Sequence, residues 1–399
     1  MMRILLANEA RSGAGGVETY LAATADGLRA RGHEVALLFA NSAADAGPTT
    51  IAAADSWSVA DAGLAASVGA ARQWRPDVCF AHNMRDLAID QALLEAGPVV
   101  KMMHGYFGTC VSGQKAFLSP SPAACDRVCG PACLVFYGPR RCGRLRPLEV
   151  MTNYRWAARQ RALFPRYRSV VVASRHMRDE YVAHGVDAGR VHAIPLFGVR
   201  PVSDRGQTGV RHPDPDAGDL DVLFLGRMTD LKGPSLLLDA VTRAARSLGR
   251  RVSLVMAGEG PLKDALRAKA AQSAGVEARF PGWVDAAARS ALLARAQMLA
   301  VPSVWPEPFG LVGLEAAVCG VPSVAFDVGG IGEWLTDAVN GRLIPPADTP
   351  AMADAIAALL RDPAQRTRLA EGARAVAARF SPEAHLSQLE TVLDRARTQ

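Results

Sequence analysis

The strongest constraint on this chain is a rhythm. Short continuous apolar runs alternate with longer Ala-, Leu- and Arg-rich stretches, and the whole pattern occurs twice. The runs are RILLA (3–7), EVALLFA (34–40), DVCFAH (77–82), VVKMMH (99–104) and SVVVAS (169–174), then DVLFLG (221–226), VSLVMAG (252–258), MLAVPS (298–303) and PSVAFD (322–327). Runs that do not alternate with polar residues predict strands covered on both faces, as in a parallel sheet flanked by helices. The stretches between them, such as 17–31, 235–249, 262–274 and 285–297, have helical length. Two such sets predict an α/β chain of two Rossmann-like, doubly wound parallel-sheet domains facing a cleft. A length of 399 residues suits two cores better than one.

The break between the sets is rich in Pro, Gly and Asp and has no apolar period. It predicts a linker at 200–220, between an N-terminal domain (1–199) and a C-terminal domain (221–378). At the end, Ser381 and Pro382 have the chemistry of an N-cap and a first helical residue. A helix within 379–399 is expected to pack back on the N-terminal domain. The opening run ends at Asn8 and Glu9, shorter than a secretory apolar region. No run is long and apolar enough to span a bilayer. The expectation is a cytoplasmic protein that can sit peripherally at the inner membrane face. A formal charge of +6 suits an anionic ligand or surface.

In doubly wound sheets, ligands sit at the carboxyl ends of the strands, so the loops there are where function is read. Gly226 and Arg227 follow one strand, and Lys232 precedes Gly233 and a helix. Two cations beside helix amides suit a pyrophosphate. The bland alternative is two solvated surface charges. Gly258 opens GEGP, a turn that lets backbone approach a ligand, although Lys263 stands where a dinucleotide fingerprint needs its third glycine. Val284, in PGWV, can offer backbone to a nucleobase edge.

The segment VWPEPFGLVGLE carries two carboxylates, Glu307 in a loop and Glu315 about one turn inside the helix that starts near Leu311. The amides of Phe309, Gly310 and Leu311 are the unpaired donors of a helix start. Glu315 suits a ribose diol, and Glu307 with the free amides suits sugar hydroxyls. A helix-dipole role explains Glu315 but not Glu307.

At this point the chain resembles a known family. GRMTDLKG, AGEGP, PGWV, PSVWPEPFGLVGLEAAVCGVPSVAFDVGGIGEWL and NGRLIPPAD look like successive C-terminal motifs of the family-four retaining glycosyltransferases, which have the GT-B fold. GAGGVETYLAATADGLRARGHEVALL looks like their opening glycine loop and helix. The resemblance implies transfer of a sugar from a UDP or GDP sugar to an acceptor hydroxyl, with retention and without a metal or other cofactor. It assigns Arg227 and Lys232 to the donor pyrophosphate, Glu315 to the ribose, and Glu307 with Phe309 to Leu311 to the donor sugar. Gly15 and Gly16 would approach the β-phosphate. His104 would lie near the transferred sugar, although Gly105 follows it where the family commonly has Asp. His82 and Asn83 are expected on the acceptor side. A nucleotide-sugar epimerase of the same fold and a catalytically silent sugar-nucleotide binder are the alternatives.

The chain departs from the pattern in two places. Cys110, Cys125, Cys129, Cys133 and Cys142 crowd an insertion at about 105–147. Their spacing raises a structural zinc, with free thiols or reversible disulfides as alternatives. Residues 139–169 then carry nine arginines and one acid, with Tyr154, Trp156, Phe164 and Tyr167 interleaved. That composition suits an anionic membrane surface, while a solvated basic helix is the bland reading. Nucleic acid is not the expected partner.

Overall fold

The fold is described from a computed structural model, covering residues 1–13, 16–42, 49–198 and 220–398. Seven parallel strands form the N-terminal sheet, in the order Val191–Ala193, Ser169–Val172, Val99–Met103, Val78–Ala81, Arg3–Asn8, Glu34–Phe39, Ser56–Ser58. Six form the C-terminal sheet, in the order Val276–Gly282, Val252–Ala257, Leu220–Leu225, Ala296–Val301, Ser323–Phe326, Gly341–Ile344. The central strands of both sheets are buried along almost their whole length, as continuous apolar runs require. The expected linker lies outside the described residues except for Leu220, which begins a strand.

Three features position the cleft. First, the helix Pro382–Thr398 runs back onto the N-terminal domain, with Ser381 Oγ accepting from Ala384 N at its start. Glu390 pairs there with Arg31 (2.7 Å) and His33 (2.8 Å), and Leu386 packs against Gly27. Second, the lobes touch directly: Tyr106 Oη donates to Pro306 O (2.7 Å), and Glu333 accepts from Arg175 N (2.7 Å). Third, the cysteine-rich insertion folds as a small unit. A two-stranded ribbon (Ala116–Phe117 with Ala123–Ala124) and the helix Ala132–Arg140 pack beside the long helix Pro147–Leu163. Val111, Cys129 and Tyr137 form a core of its own, so cross-links are not its sole organiser.

Candidate active site

Gly258, at φ 141°, packs directly on Gly226: a Cβ there would overlap the Gly226 carbonyl. That close approach brings two strand-end loops together, with Met228 N donating to Glu259 O (2.8 Å). Arg227 projects from this platform and is exposed. Lys232 ends the short turn Asp230–Lys232, just before the helix Pro234–Leu248. Its Nζ donates to Glu307 Oε1 (2.6 Å) and lies 4.5 Å from the centre of the Trp305 ring. Ser303 Oγ donates to the same carboxylate oxygen (2.5 Å). Glu307 is only 5% exposed, so its charge is held by these two donors. The sequence assigned Lys232 to the phosphate and Glu307 to the sugar as separate contacts. The structure joins them as one ion pair, in which Glu307 fixes where the ammonium points.

Past Glu307, Phe309 is buried and its carbonyl accepts from Trp334 Nε1 (2.7 Å). Gly310 then turns the chain at φ 83° and starts the helix Leu311–Val318 with no side-chain cap. A side chain at Gly310 would press on Ile331 Cδ1 at 2.7 Å. The first amides of this helix therefore keep their donors available. Glu315, one turn in, makes a two-pronged pair with Arg289 Nη1 (3.1 Å to each oxygen). Burial raises the Glu315 pKa, and Arg289 opposes that rise. Arg289 escaped the sequence reading: it sits inside the helix Ala286–Arg295 with no motif around it. Val284 is half-buried beside the exposed Trp283.

Across the cleft, His104 follows the strand Val99–Met103. Its Nε2 shares one proton with His82 Nδ1 (2.9 Å), and the rings stack with centroids 5.2 Å apart. Burial, helped by nearby Lys101, pulls His104 down to about 3. Burial, His104 and Lys101 lower His82 as well. Both imidazoles are neutral at pH 7, so His104 can offer a hydrogen bond but not a charge. Lys101 is fixed by Asp90 Oδ1 (2.7 Å) and His82 O (2.6 Å). His82 is wholly buried and so cannot contact an acceptor; its place behind His104 corrects the expectation. Asn83 does line a cavity on that side. Gly16 opens the helix Gly16–Ala30, whereas Gly15 lies outside the described residues.

The cysteine cluster and the basic segment are the two departures from the family pattern. Cys110, Cys125, Cys133 and Cys142 line one cavity of about 370 Å³. Yet among the described residues no three His, Cys, Asp or Glu side chains are grouped to hold a metal ion, and all seven cysteines are free. In the basic segment, Phe164 and Tyr167 are each 1% exposed, and Trp156 packs against the core. These aromatics belong to the fold and cannot enter a bilayer. The exposed apolar side chains lie earlier, at Val128, Val135, Phe136, Leu145, Leu148 and Met151.

Comparison with known proteins covers both lobes. Residues 211–376 match the family model of glycosyl transferases group 1, and residues 14–197 match that of glycosyltransferase family 4. Among curated relatives, a glycogen synthase of Mycobacterium tuberculosis is 37% identical over 161 residues, 40% of this chain and 38% of that protein. A phosphatidyl-myo-inositol mannosyltransferase of Mycobacterium leprae is 39% identical over 39% of this chain and 41% of its own length. An alpha-D-kanosaminyltransferase of Streptomyces kanamyceticus is 31% identical over 55% and 58%. The chain thus spans less than two thirds of each of these relatives. An Anabaena protein, HepE, crystallised with UDP, shares the fold with a TM-score of 0.68 at 22% identity, over 99% of this chain and 100% of its own. So does a sucrose-phosphate synthase from Thermosynechococcus elongatus (0.68, 21% identity, 98% of both chains).

Proposed function

The chain belongs to the family-four, group 1 glycosyltransferases of GT-B fold, and from that premise we propose that it moves a sugar from a nucleoside-diphosphate sugar to an acceptor hydroxyl, with retention and without a catalytic metal. One observation carries the reading most: Lys232, held by Glu307, and the exposed Arg227 flank the same strand end. As the bond from the sugar to the β-phosphate breaks, negative charge grows on the phosphate oxygen. An oriented ammonium, a guanidinium and the amides at the start of Leu311–Val318 can stabilise that charge. The acceptor's proton goes to the departing phosphate, so no side-chain base is needed. Neutral His104 hydrogen-bonds the sugar, and Glu315 accepts from the ribose hydroxyls. UDP sugars are the first donors to test, because a fold neighbour was crystallised with UDP; GDP sugars are next.

The partner surface proposed for the insertion is an anionic membrane, seated through the exposed part of 127–151. Among the described residues no helix is long and apolar enough to cross a bilayer.

Donor screening by thermal shift, followed by turnover of the stabilising donor, tests the transfer reading. Arg227→Ala, at an exposed side chain, should leave the melting temperature without ligand nearly unchanged and cut turnover by about 10²–10³-fold, the scale of one lost oxyanion donor. Normal turnover in that variant, or donor converted to an epimer with no acceptor present, would remove the proposal.

A further inference from the structure

A second cavity, of about 250 Å³, opens at the carboxyl ends of the N-terminal strands. It is large enough for one sugar ring, and its chemistry is one-sided. Asn8 is 1% exposed, and its Oδ1 is buried without a hydrogen-bond partner; Asn83 Oδ1 is in the same state. Two unpaired buried acceptors call for a ligand that brings donors. Glu9 and Glu18, both half-buried, line the same cavity. Glu9 Oε2 accepts from Arg85 N (2.9 Å) and leaves its other oxygen to spare. Of the two lining cations, Lys101 is neutralised by Asp90, and Arg85 is exposed. The carboxylates therefore set the sign of the interior field. Trp156 also lines the cavity, locked by Nε1 donating to Arg85 O (2.7 Å), and meets Phe107 edge to face at 6.0 Å. A fixed indole beside hydrogen-bond acceptors can hold the apolar face of a ring, and its π face also attracts a cation.

We infer that this cavity takes the acceptor as a polyhydroxylated ring carrying a protonated amine, and that it rejects rings bearing phosphate or carboxylate. The inference rests on the transfer reading for the word acceptor, but the binding itself needs no donor. Hydroxyls and the ammonium supply the donors that Asn8 and Asn83 lack. Glu18 and Glu9 hold the positive charge, and Trp156 covers the ring face. Met103 and Phe107 of the wall lie on either side of His104 in the chain, so the cavity opens next to the residue that would face the transferred sugar.

Ligand-observed NMR with glucosamine, glucose and glucose 6-phosphate tests this, because the three share one ring. Glucosamine should bind at least about ten-fold tighter than glucose, and glucose 6-phosphate should show no saturable binding. Glu18→Gln should erase the preference for the amine while leaving glucose binding in place. Trp156→Ala should lose both glucosamine and glucose, with Trp156→Phe, checked for native circular dichroism, recovering part. Equal binding of the three sugars, better binding of the phosphate, or no binding of any would overturn the inference. UDP titration of the same samples reports the donor site separately. A protein that binds glucosamine but no nucleotide would sink the transfer reading and leave this one standing.

Discussion

At the residue scale, the positions of the charged groups were readable and their partnerships were not. Arg227, Lys232, Glu307 and Glu315 stand out because strand-end loops in a doubly wound sheet face the ligand. The link between Lys232 and Glu307 spans 75 positions and depends on how two loops fold against each other. Arg289 gives no signal at all, since an arginine inside an amphipathic helix is ordinary. Its pairing with Glu315 nevertheless has a measurable consequence. A carboxylate accepts from ribose hydroxyls in its ionised form, and burial already raises the Glu315 pKa. As pH falls through that raised value, the fraction able to accept two hydroxyls falls, and UDP affinity should weaken. Arg289→Ala removes the group that opposes the rise, so the weakening should begin at a higher pH than in the parent. Calorimetric UDP titrations across mildly acidic pH give both curves. Superimposable curves would mean that Glu315 does not hold the ribose.

At the element scale, every central strand of the two large sheets was visible, and the four missed in those sheets are their four edges. Ser56–Ser58, Val191–Ala193, Val276–Gly282 and Gly341–Ile344 are each the last strand on one side. An edge strand is short or has one wet face, so it lacks the continuous apolar run that marks its neighbours; Val276–Gly282 alternates half-buried and exposed along its length. The returning helix Pro382–Thr398 was legible from its cap, but its anchor was not. His385 Nδ1 lies 2.8 Å from Pro195 O and must carry the proton, so Nε2 accepts from Tyr20 Oη at 2.9 Å. Burial lowers His385 from 6.5 to about 4, against the pull of the Pro195 carbonyl. Between those values the unfolded chain binds the proton and the folded one does not. The stability contributed by this site is complete above the unfolded value and is lost as pH falls toward about 4. The limiting slope is about 1.4 kcal/mol per pH unit. Urea unfolding from pH 7 to pH 4.5 should show a shallower decline for His385→Asn than for the parent; parallel declines would assign the acid sensitivity to other groups.

For the whole molecule, the two-lobed plan follows from the doubled rhythm of the sequence, but the surfaces by which it meets other things do not. Residues 139–169 were expected to present arginines and aromatics together, and the fold separates them by turning the aromatics inward. What remains outside is more specific. Leu148 is 86% exposed on the long helix Pro147–Leu163, and Val135 72% on the insertion's helix Ala132–Arg140 beside it. Phe136 lies under the Arg127 guanidinium at 4.0 Å, and Arg140, Arg141, Arg144 and Arg146 are exposed around them. Leu148 is eight positions from Trp156 on one helix, about 12 Å at helical rise. A bilayer touching the first residue therefore lies close to the cavity walled by the second. Each exposed arginine near an anionic surface adds about 1 kcal/mol, and the apolar side chains add burial that neutral lipid alone would also reward. Cosedimentation with vesicles containing about one third phosphatidylglycerol should then exceed that with pure phosphatidylcholine by at least about ten-fold. Salt at about 0.5 M should remove most of the difference. Leu148→Asp with Val135→Asp should weaken binding at either salt while donor turnover in solution stays unchanged, since neither side chain lines the donor site. Equal pelleting with both vesicle types, or none with either, would leave the patch without a lipid role.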